Sequence, residues 1–404
     1  MTHALPSLPR SWRALAALLA ATVLAVGCGG GSDSGVGAGG TGSPLSFAQG
    51  PITGFGSIIV NGVHFDDSGA SVVDDDGNAL SNTQSLRLGT VVDVQGGVVT
   101  DGATAASAIH VHVDLVGPVT AAYDATTGRL GVLGQPVRVQ AITALDGFSG
   151  GVAAVPVGSV VAVSSLYDKA TGVYVATRID PAPSAPHFAI RGAPAAVDTA
   201  AHTFTIGTEV FGYGSLAPPV SFAAGQLLRA VLAKSVDSHG RRVVSAFGQA
   251  VPTLPDGRSG ALDGVVDSAT DATHFFVSGV SVDASGATVT PAGSAIAVQS
   301  RVQVRGTVVA GVLVASSVEV DASNDGEDDH GGSDGRFQIV GAIVSLDTAH
   351  QTLTMRGPTT VSYATAAFSK GTSADLAVGQ AIEVKGNLSP DGSEVIATQI
   401  KFGH

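Results

Sequence analysis

The chain has 404 residues but one cysteine, one tryptophan and five tyrosines, and only 13% of its residues are charged. A single cysteine excludes an intramolecular disulfide framework. Lys and Arg number 20 against 33 Asp and Glu, which gives a formal charge of −13. Nucleic acids and anionic headgroups are bound by clustered basic residues. We therefore predict no nucleic-acid partner and no electrostatic docking to a membrane.

The N-terminus has the pattern of an export signal. Within residues 1–28, Arg10 and Arg13 precede an apolar run that is too short for a spanning helix. The string Leu24-Ala25-Val26-Gly27-Cys28 resembles a lipoprotein box, which would place lipid on the cysteine, although Ala25 stands where Leu is more usual. A plain secretory signal, or an incidental unpaired thiol at Cys28, is the alternative.

Lipidation of Cys28 would attach the protein to a membrane without help from surface charge. Cleavage of the signal would remove two arginines and leave 18 Lys plus Arg against 33 Asp plus Glu, a formal charge of −15. Residues 29–46 are rich in Gly and Ser and are expected to form a flexible tether. Gly29, in place of Asp, resembles the sorting signal of outer-membrane lipoproteins. We predict a lipid-anchored extracytoplasmic protein at the outer membrane of a Gram-negative bacterium.

Two motifs recur along the chain at intervals of about 70 residues. An opening Gly-x-apolar strand is anchored at Gly50, Gly117, Gly192, Gly264 and Gly341. A second motif, apolar-Gly-x-x-Val-x-Val-x-Gly, follows each anchor and is centred on Gly89, Gly158, Gly225, Gln299 and Gly379. The third and fourth copies are degenerate, and Gln299 replaces the glycine in the fourth. The recurrence predicts five repeats by internal duplication.

The predicted repeats follow the signal and the tether. We number them repeat 1 to repeat 5, with these boundaries: 47–115, 116–182, 187–250, 258–320 and 336–404. An acidic linker at 321–335 separates repeat 4 from repeat 5.

Strand patterns fill the repeats. Apolar residues alternate in stretches such as Val302-Gln303-Val304, which indicates strands with one packed face. Asn61-Gly62 and Asp391-Gly392 are typical of tight hairpins because their backbones accept positive φ. The fold class predicted is all-β: a tandem array of about five small OB-like barrels or sandwiches with about five or six strands each. Tandem order further predicts an elongated array in which each repeat contacts its neighbours.

The opening of repeat 1 resembles a known family. The string Gly50-Pro51-Ile52-Thr53-Gly54-Phe55-Gly56-Ser57-Ile58-Ile59-Val60-Asn61-Gly62-Val63-His64-Phe65-Asp66 is similar to the start of the domain of unknown function 5666. That family occurs as tandem copies in exported proteobacterial proteins, often lipoproteins. The resemblance implies an all-β repeat and export, and it implies no reaction because the family has no assigned activity.

An acidic segment offers one candidate metal site. Four oxygen-bearing residues have the spacing of positions one, three, five and nine of a calcium loop: Asp321, Ser323, Asp325 and Asp329. Gly326 would supply the bend, but Gly332 stands where the loop needs a bidentate Glu, and the flanks are not predicted to be helical. An acidic, solvated linker is the favoured alternative. No other cofactor is expected.

Two histidines offer a second candidate. In His110-Val111-His112-Val113-Asp114 the imidazoles and the carboxylate alternate along a strand, so all three are expected on one face and could bind a transition metal. A solvent-facing strand side is the alternative, since nothing nearby supplies a fourth ligand. Asp74-Asp75-Asp76-Gly77-Asn78 is interpreted as a hairpin turn, with metal binding as its weaker alternative.

No pattern in the chain predicts an enzyme. Gly-x-Ser-x-Gly, P-loop and HExxH motifs are lacking. Glycan binding is weakened by the loss of Trp12 with the signal; Tyr167 and Tyr174 could form a patch for sugar stacking, with packing in the core as the favoured alternative. We predict a structural or protein-interaction module of the cell envelope, with a glycan-binding or divalent-ion-sensing surface module as the alternative. Its partners would be an envelope protein or polysaccharide.

Overall fold

Strands dominate the fold, as the alternating pattern requires. The structure is a computed structural model that describes residues 45–81, 85–98, 102–148, 150–220, 222–321, 337–357 and 359–403. The signal, Cys28 and nearly all of the tether lie outside these residues, as does most of the acidic linker. No helix in the described part has the length and apolar character needed to cross a bilayer.

The first two repeats contribute twelve strands. Repeat 1 forms β1 (Leu45–Phe55), β2 (Ile58–Val60), β3 (Val63–Asp66), β4 (Ser71–Asp74), β5 (Val91–Gly96) and β6 (Ala103–His112). Repeat 2 forms β7 (Leu115–Asp124), β8 (Arg129–Val132), β9 (Gln135–Arg138), β10 (Ala144–Leu145), β11 (Val160–Asp168) and β12 (Val173–Pro181), with a short 3₁₀ turn at Val152–Ala154.

Repeats 3 and 4 follow the same order. Repeat 3 forms β13 (Phe188–Gly192), β14 (Ala196–Asp198), β15 (Thr203–Ile206), β16 (Glu209–Gly212), β17 (Leu228–Val236) and β18 (Arg242–Gly248). Repeat 4 forms β19 (Ser259–Ala269), β20 (His274–Val277), β21 (Val280–Asp283), β22 (Thr288–Thr290), β23 (Arg301–Val309) and β24 (Val312–Val320).

Repeat 5 completes the fold. It forms β25 (Phe337–Ala342), β26 (Ser345–Asp347), β27 (Thr352–Met355), β28 (Thr359–Ser362), β29 (Ala367–Ser369), β30 (Ala381–Leu388) and β31 (Val395–Phe402), with a 3₁₀ turn at Ser373–Asp375. These strands confirm the all-β fold.

Each repeat closes its strands into a small barrel. In repeat 1 the pairing runs β1–β2–β3–β6–β5 and returns to β1, and only the β3–β6 pair is parallel. Repeat 2 pairs β7–β8–β9–β12–β11–β7 in the same way, and repeat 4 pairs β19–β20–β21–β24–β23–β19. Repeats 3 and 5 keep the circuit with the first strand split in two. The barrel prediction is confirmed, and the OB-like assignment stays a prediction.

The first glycine position of the second motif has a left-handed backbone in every copy. Its φ values lie between 77° and 90° at five residues: Gly89, Gly158, Gly225, Gln299 and Gly379. Glycine adopts this conformation without the steric cost that a Cβ imposes. The motif therefore marks the turn that leads into the strand that pairs back with the first strand of each repeat, namely β5, β11, β17, β23 and β30. Gln299 keeps this turn without being glycine.

The last position of the motif coincides with a β-bulge. The register of the strand pair shifts at the same slot in all five repeats: Gln95/Gly96, Ser164/Ser165, Val231/Leu232, Arg305/Gly306 and Lys385/Gly386. A bulge bends and twists its strand, which a barrel of so few strands requires. Recurrence of this glycine thus follows from curvature and indicates no binding site.

The repeats contact each other out of sequence order. Strand β1 pairs in parallel with β19 of repeat 4 and with β25 of repeat 5, and β7 pairs with β13. Buried apolar residues of repeats 1 and 5 form one continuous core, and those of repeats 2 and 3 form another. All described residues belong to one compact unit. The prediction of an elongated array is therefore wrong, because β1 also pairs with strands of repeats 4 and 5.

Two glycines of the second motif allow the contact between repeats 1 and 2 to be tested. Gly89 (φ 79°) faces repeat 2 so closely that an added Cβ would clash with the Thr177 carbonyl oxygen, whereas a Cβ on Gly158 (φ 90°) would meet open space. We expect Gly158→Ala to lower the free energy of unfolding by about 1 kcal/mol, for backbone strain alone. Gly89→Ala should lower it by about 3 kcal/mol or more. Urea denaturation measures both, and equal losses would contradict the described contact.

Candidate functional site

Three neighbouring strands bring a histidine–carboxylate cluster together on the outer face of barrel 1. Strand β4 pairs in parallel with β6, which sets Asp74 opposite Val111, and β5 pairs with β6, which sets Asp93 opposite His110. Ile109 and Val111 alternate with the histidines and point into the core. His110 and His112 therefore share the outward face, and Asp75 reaches them from the turn after β4.

The distances within this cluster are short. Oδ1 of Asp75 lies 2.8 Å from Nδ1 of His112 and 3.4 Å from Nε2 of His110. Nε2 of His112 lies 2.9 Å from Oδ2 of Asp93. The two imidazole rings are 4.5 Å apart between centroids and are tilted by 47°. Each ring nitrogen of His112 thus faces a carboxylate.

Repeat 3 covers one side of the cluster. The buried Arg229 of β17 places Nη2 at 2.8 Å from Oδ1 of Asp76 and Nε at 3.7 Å from Oδ2 of Asp75. Nε2 of His187 lies 2.8 Å from Oδ2 of Asp76. The backbone N–H of Val113 donates to Oδ2 of Asp75 at 2.9 Å. Oδ2 of Asp75 therefore accepts from Val113 and lies near the charge of Arg229, whereas Oδ1 faces the histidines.

Electrostatics favour the ionised forms of His112 and Asp75. Burial alone would lower the pKa of His112, but the charge of Asp93 and the hydrogen bond to Asp75 outweigh it and raise the pKa to about 10. Burial would raise the pKa of Asp75, yet its contacts with His112, Val113 and Arg229 leave that pKa lowered. Without a bound cation, an imidazolium at His112 lies between Asp75 and Asp93, and the guanidinium of Arg229 supplies a second positive charge beside Asp75.

The same side chains also have the composition of a metal centre. Ligand atoms of Asp75, His110 and His112 all lie within 4.8 Å of one another. Imidazole nitrogen and carboxylate oxygen are the usual ligands of zinc and related ions. The cluster can therefore either form a buried ion-pair network or bind a divalent transition metal.

Asp114, which we expected beside the histidines, is buried in a different contact. Oγ of Ser165 donates to its Oδ2 at 2.5 Å, and Nη1 of Arg191 lies 3.4 Å from its Oδ1. Burial raises the pKa of Asp114, although the charge of Arg191 opposes the shift. A cavity of about 20 Å³ lies here, between His112, Asp114 and Arg191. It has room for about one water molecule.

The structure separates the two interpretations of the Asp74–Asn78 segment. Oδ1 of Asp74 accepts hydrogen bonds from the backbone N–H groups of Asp76 and Asn78, at 2.9 and 2.8 Å, which confirms the turn. Asp75 and Asp76, in contrast, point to the cluster and to Arg229. Sequence reasoning missed Asp93 and Arg229 because both lie in the second motif, which we interpreted as scaffold only.

The remaining sequence candidates divide between two outcomes. Tyr167 and Tyr174 are buried, and Tyr174 donates its hydroxyl hydrogen to the Arg191 carbonyl, so the core alternative is confirmed for both rings. The calcium hypothesis stays a prediction. Asp321 donates its backbone N–H to Arg301, and the other three candidate ligands, Ser323, Asp325 and Asp329, lie outside the described residues.

Comparison with known proteins identifies the repeat. A family model described as "Domain of unknown function (DUF5666)" matches four segments that together exceed half of the chain: 49–110, 116–180, 263–319 and 340–401. These segments lie within repeats 1, 2, 4 and 5, so the resemblance seen at the start of repeat 1 extends to tandem copies. No curated protein matches the chain.

Arg229 provides a test of the contact between repeats 1 and 3. Removing one partner of a buried ion pair leaves an uncompensated charge, which costs about 3 to 5 kcal/mol. We expect Arg229→Met to lower the free energy of unfolding by about that amount. Arg241 in the same repeat is a matched control, since its pair with Asp237 lies at the surface and Arg241→Met should cost less than about 1 kcal/mol. Chemical denaturation measures the free energy of unfolding of both variants, and similar losses in the two would argue against a buried Arg229 contact.

A second buried carboxylate, in β19, makes stability depend on pH. The backbone N–H of Gly279 donates to Oδ2 of Asp267, whereas Oδ1 is buried without a hydrogen-bond partner among the described residues. Burial raises the pKa of Asp267 to about 6, against the opposing effect of the Gly279 hydrogen bond. The folded state thus binds a proton more tightly than the unfolded state, and stability falls as pH rises from about 4 to about 6.

Replacement of this carboxylate should therefore stabilise the protein at neutral pH. We expect Asp267→Asn to raise the free energy of unfolding by about 1 to 3 kcal/mol at pH 7.5 and by almost nothing at pH 4. Asp283→Asn is the control in the same repeat, because hydrogen bonds from Ser285 lower the pKa of Asp283 and its replacement should give no gain. Thermal melts at both pH values test the pair, and a gain at pH 4 as large as that at pH 7.5 would refute the assignment.

Proposed function

The chain belongs to the family of the domain of unknown function DUF5666, and because this family carries no assigned activity, we propose a function from the chain's own features. The protein is a structural or protein-interaction module of the cell envelope, anchored by lipid on Cys28. The single observation that carries this proposal is the fusion of the repeats into one compact unit by strand pairing and buried charge contacts.

Fusion of this kind suits a rigid support. In an open array, each repeat contacts only its neighbours and the chain can bend between them. Here repeat 1 contacts repeat 4 through β1–β19, repeat 5 through β1–β25 and repeat 3 through Arg229. Bending at any one junction would break main-chain hydrogen bonds or expose buried charges. The protein is therefore built to hold a fixed surface.

The N-terminal sequence supplies the location in this proposal. An export signal with a lipoprotein box would deliver the unit beyond the cytoplasmic membrane, and Gly29 after the cysteine favours the outer membrane. The Gly- and Ser-rich tether, up to the start of β1 at Leu45, would then lift the unit off the bilayer. A formal charge of −15 after cleavage disfavours contact with anionic headgroups, so lipid is the attachment that remains.

The experiment compares the full chain with Cys28→Ala in a Gram-negative host. Wild type should fractionate with the outer membrane and give discrete protein adducts after cross-linking of intact cells. Cys28→Ala should be released to the soluble fraction and lose those adducts, while its melting temperature stays unchanged. Membrane association that persists in Cys28→Ala would refute the lipid anchor, and adducts with polysaccharide alone would refute the protein-interaction role.

A further inference from the structure

We propose that Asp75, His110 and His112 bind a divalent transition-metal ion of the zinc class, on the outer face of barrel 1. The site would use two imidazole nitrogens and one carboxylate oxygen from adjacent strands. It is independent of lipid anchoring and of any partner.

The geometry of the three ligands fits a tetrahedral ion. Zinc binds nitrogen and oxygen ligands at about 2.0 to 2.1 Å, so two ligands of one tetrahedral ion lie about 3.3 Å apart. Nε2 of His110 and Oδ1 of Asp75 are separated by 3.4 Å, and Nδ1 of His112 and Oδ1 of Asp75 by 2.8 Å. Only a small opening of the second pair is needed to admit the ion. The β4–β6 pairing places Asp75 beside the two histidines, and the three ligand atoms all lie within 4.8 Å of one another.

Asp93 contacts the second ring nitrogen of His112, the one that would not bind the metal. Metal-binding histidines usually donate their second ring N–H to a carboxylate, which fixes the ring and its tautomer. Nε2 of His112 lies 2.9 Å from Oδ2 of Asp93. This contact does not have hydrogen-bond geometry among the described residues, so Asp93 acts on Nε2 through its negative charge. A proton on Nε2, next to that charge, leaves the lone pair of Nδ1 directed at Oδ1 of Asp75. Two electron-rich atoms that face each other in a buried place require a cation between them, either a proton or a metal ion.

The surrounding protein leaves the metal-facing oxygen free for this role. The N–H of Val113 and the guanidinium of Arg229 are both on the Oδ2 side of Asp75, and Arg229 makes its shorter contact with Asp76. His110 has 31% of its side chain exposed, so an ion and a fourth ligand, such as water, can enter from solvent. Two imidazoles among three ligands favour a transition metal over calcium or magnesium, which prefer oxygen.

The test titrates the metal-free full chain carrying Cys28→Ala, which removes the only thiol, without a polyhistidine tag. Calorimetry with Zn²⁺ should give one site per chain, and Co²⁺ should give the visible absorption of a four-coordinate ion. His110→Ala should weaken Zn²⁺ binding by about 100-fold or more. Asp93→Asn should weaken it by about 10- to 100-fold, because it disturbs only the support of His112.

A surface histidine provides the matched control. His350 pairs with Asp347 and is largely exposed, so His350→Ala removes an imidazole–carboxylate pair without touching the site. Its Zn²⁺ affinity should equal that of the parent chain. Equal melting temperatures of metal-free parent and His110→Ala would show that the loss reflects a ligand and not the fold. The proposal is overturned by a parent chain that binds no Zn²⁺, or by a His110→Ala variant that binds it as tightly as the parent.

Discussion

The arrangement of the five barrels depends on main-chain hydrogen bonding along β1. This strand has eleven residues, and it pairs with β2 and β5 inside its own barrel and with β19 and β25 outside it. Its end makes the contact with repeat 5 at Gly54, where a Cβ would clash with the Gln338 carbonyl oxygen. A closed barrel has few free strand edges. An overlong first strand therefore provides the backbone groups that repeats 4 and 5 need in order to join.

Once the barrels join, their outward faces meet, and these faces carry polar residues by the rule of strand alternation. Six arginines bridge different repeats in the described part of the chain: Arg87, Arg178, Arg191, Arg229, Arg305 and Arg356. Arginine suits this task because its planar group has five donors for carboxylates and carbonyls. A buried ion pair contributes little net stability but is costly to break. The arginines thus select one arrangement of repeats more than they strengthen it.

The sequence was sufficient to predict the strands and tight turns of each repeat. Each copy of the second motif contains a left-handed turn and a bulge, and glycine occupies the turn position in four copies and the bulge position in three. The faces between repeats could not be predicted, because alternation states which residues point outward and not what covers them. His110 and His112 were expected on one face, and they lie together. Asp75 joins them through the parallel β4–β6 pair, a long-range register that a turn-forming Asp-rich string does not encode.

Residues that depart from the repeat pattern make contacts between repeats, which the pattern itself does not predict. Gln299 replaces the motif glycine, retains φ 78°, and donates from Nε2 to Oδ2 of Asp168 in repeat 2 at 3.0 Å. Ser165 replaces the bulge glycine and donates to Asp114.

The position four residues after the first glycine of the second motif also differs among the copies. Asp93 and Arg229 occupy this slot in repeats 1 and 3, and both contact the histidine cluster, Asp93 at His112 and Arg229 at Asp75 and Asp76. A residue that every repeat must keep serves the barrel, since each barrel faces the same constraints of closure and curvature. A residue that differs among copies is free to serve one place in the assembly. In this chain the divergent positions meet at the contacts between repeats, and the only described cluster with metal-binding chemistry lies beside one of them.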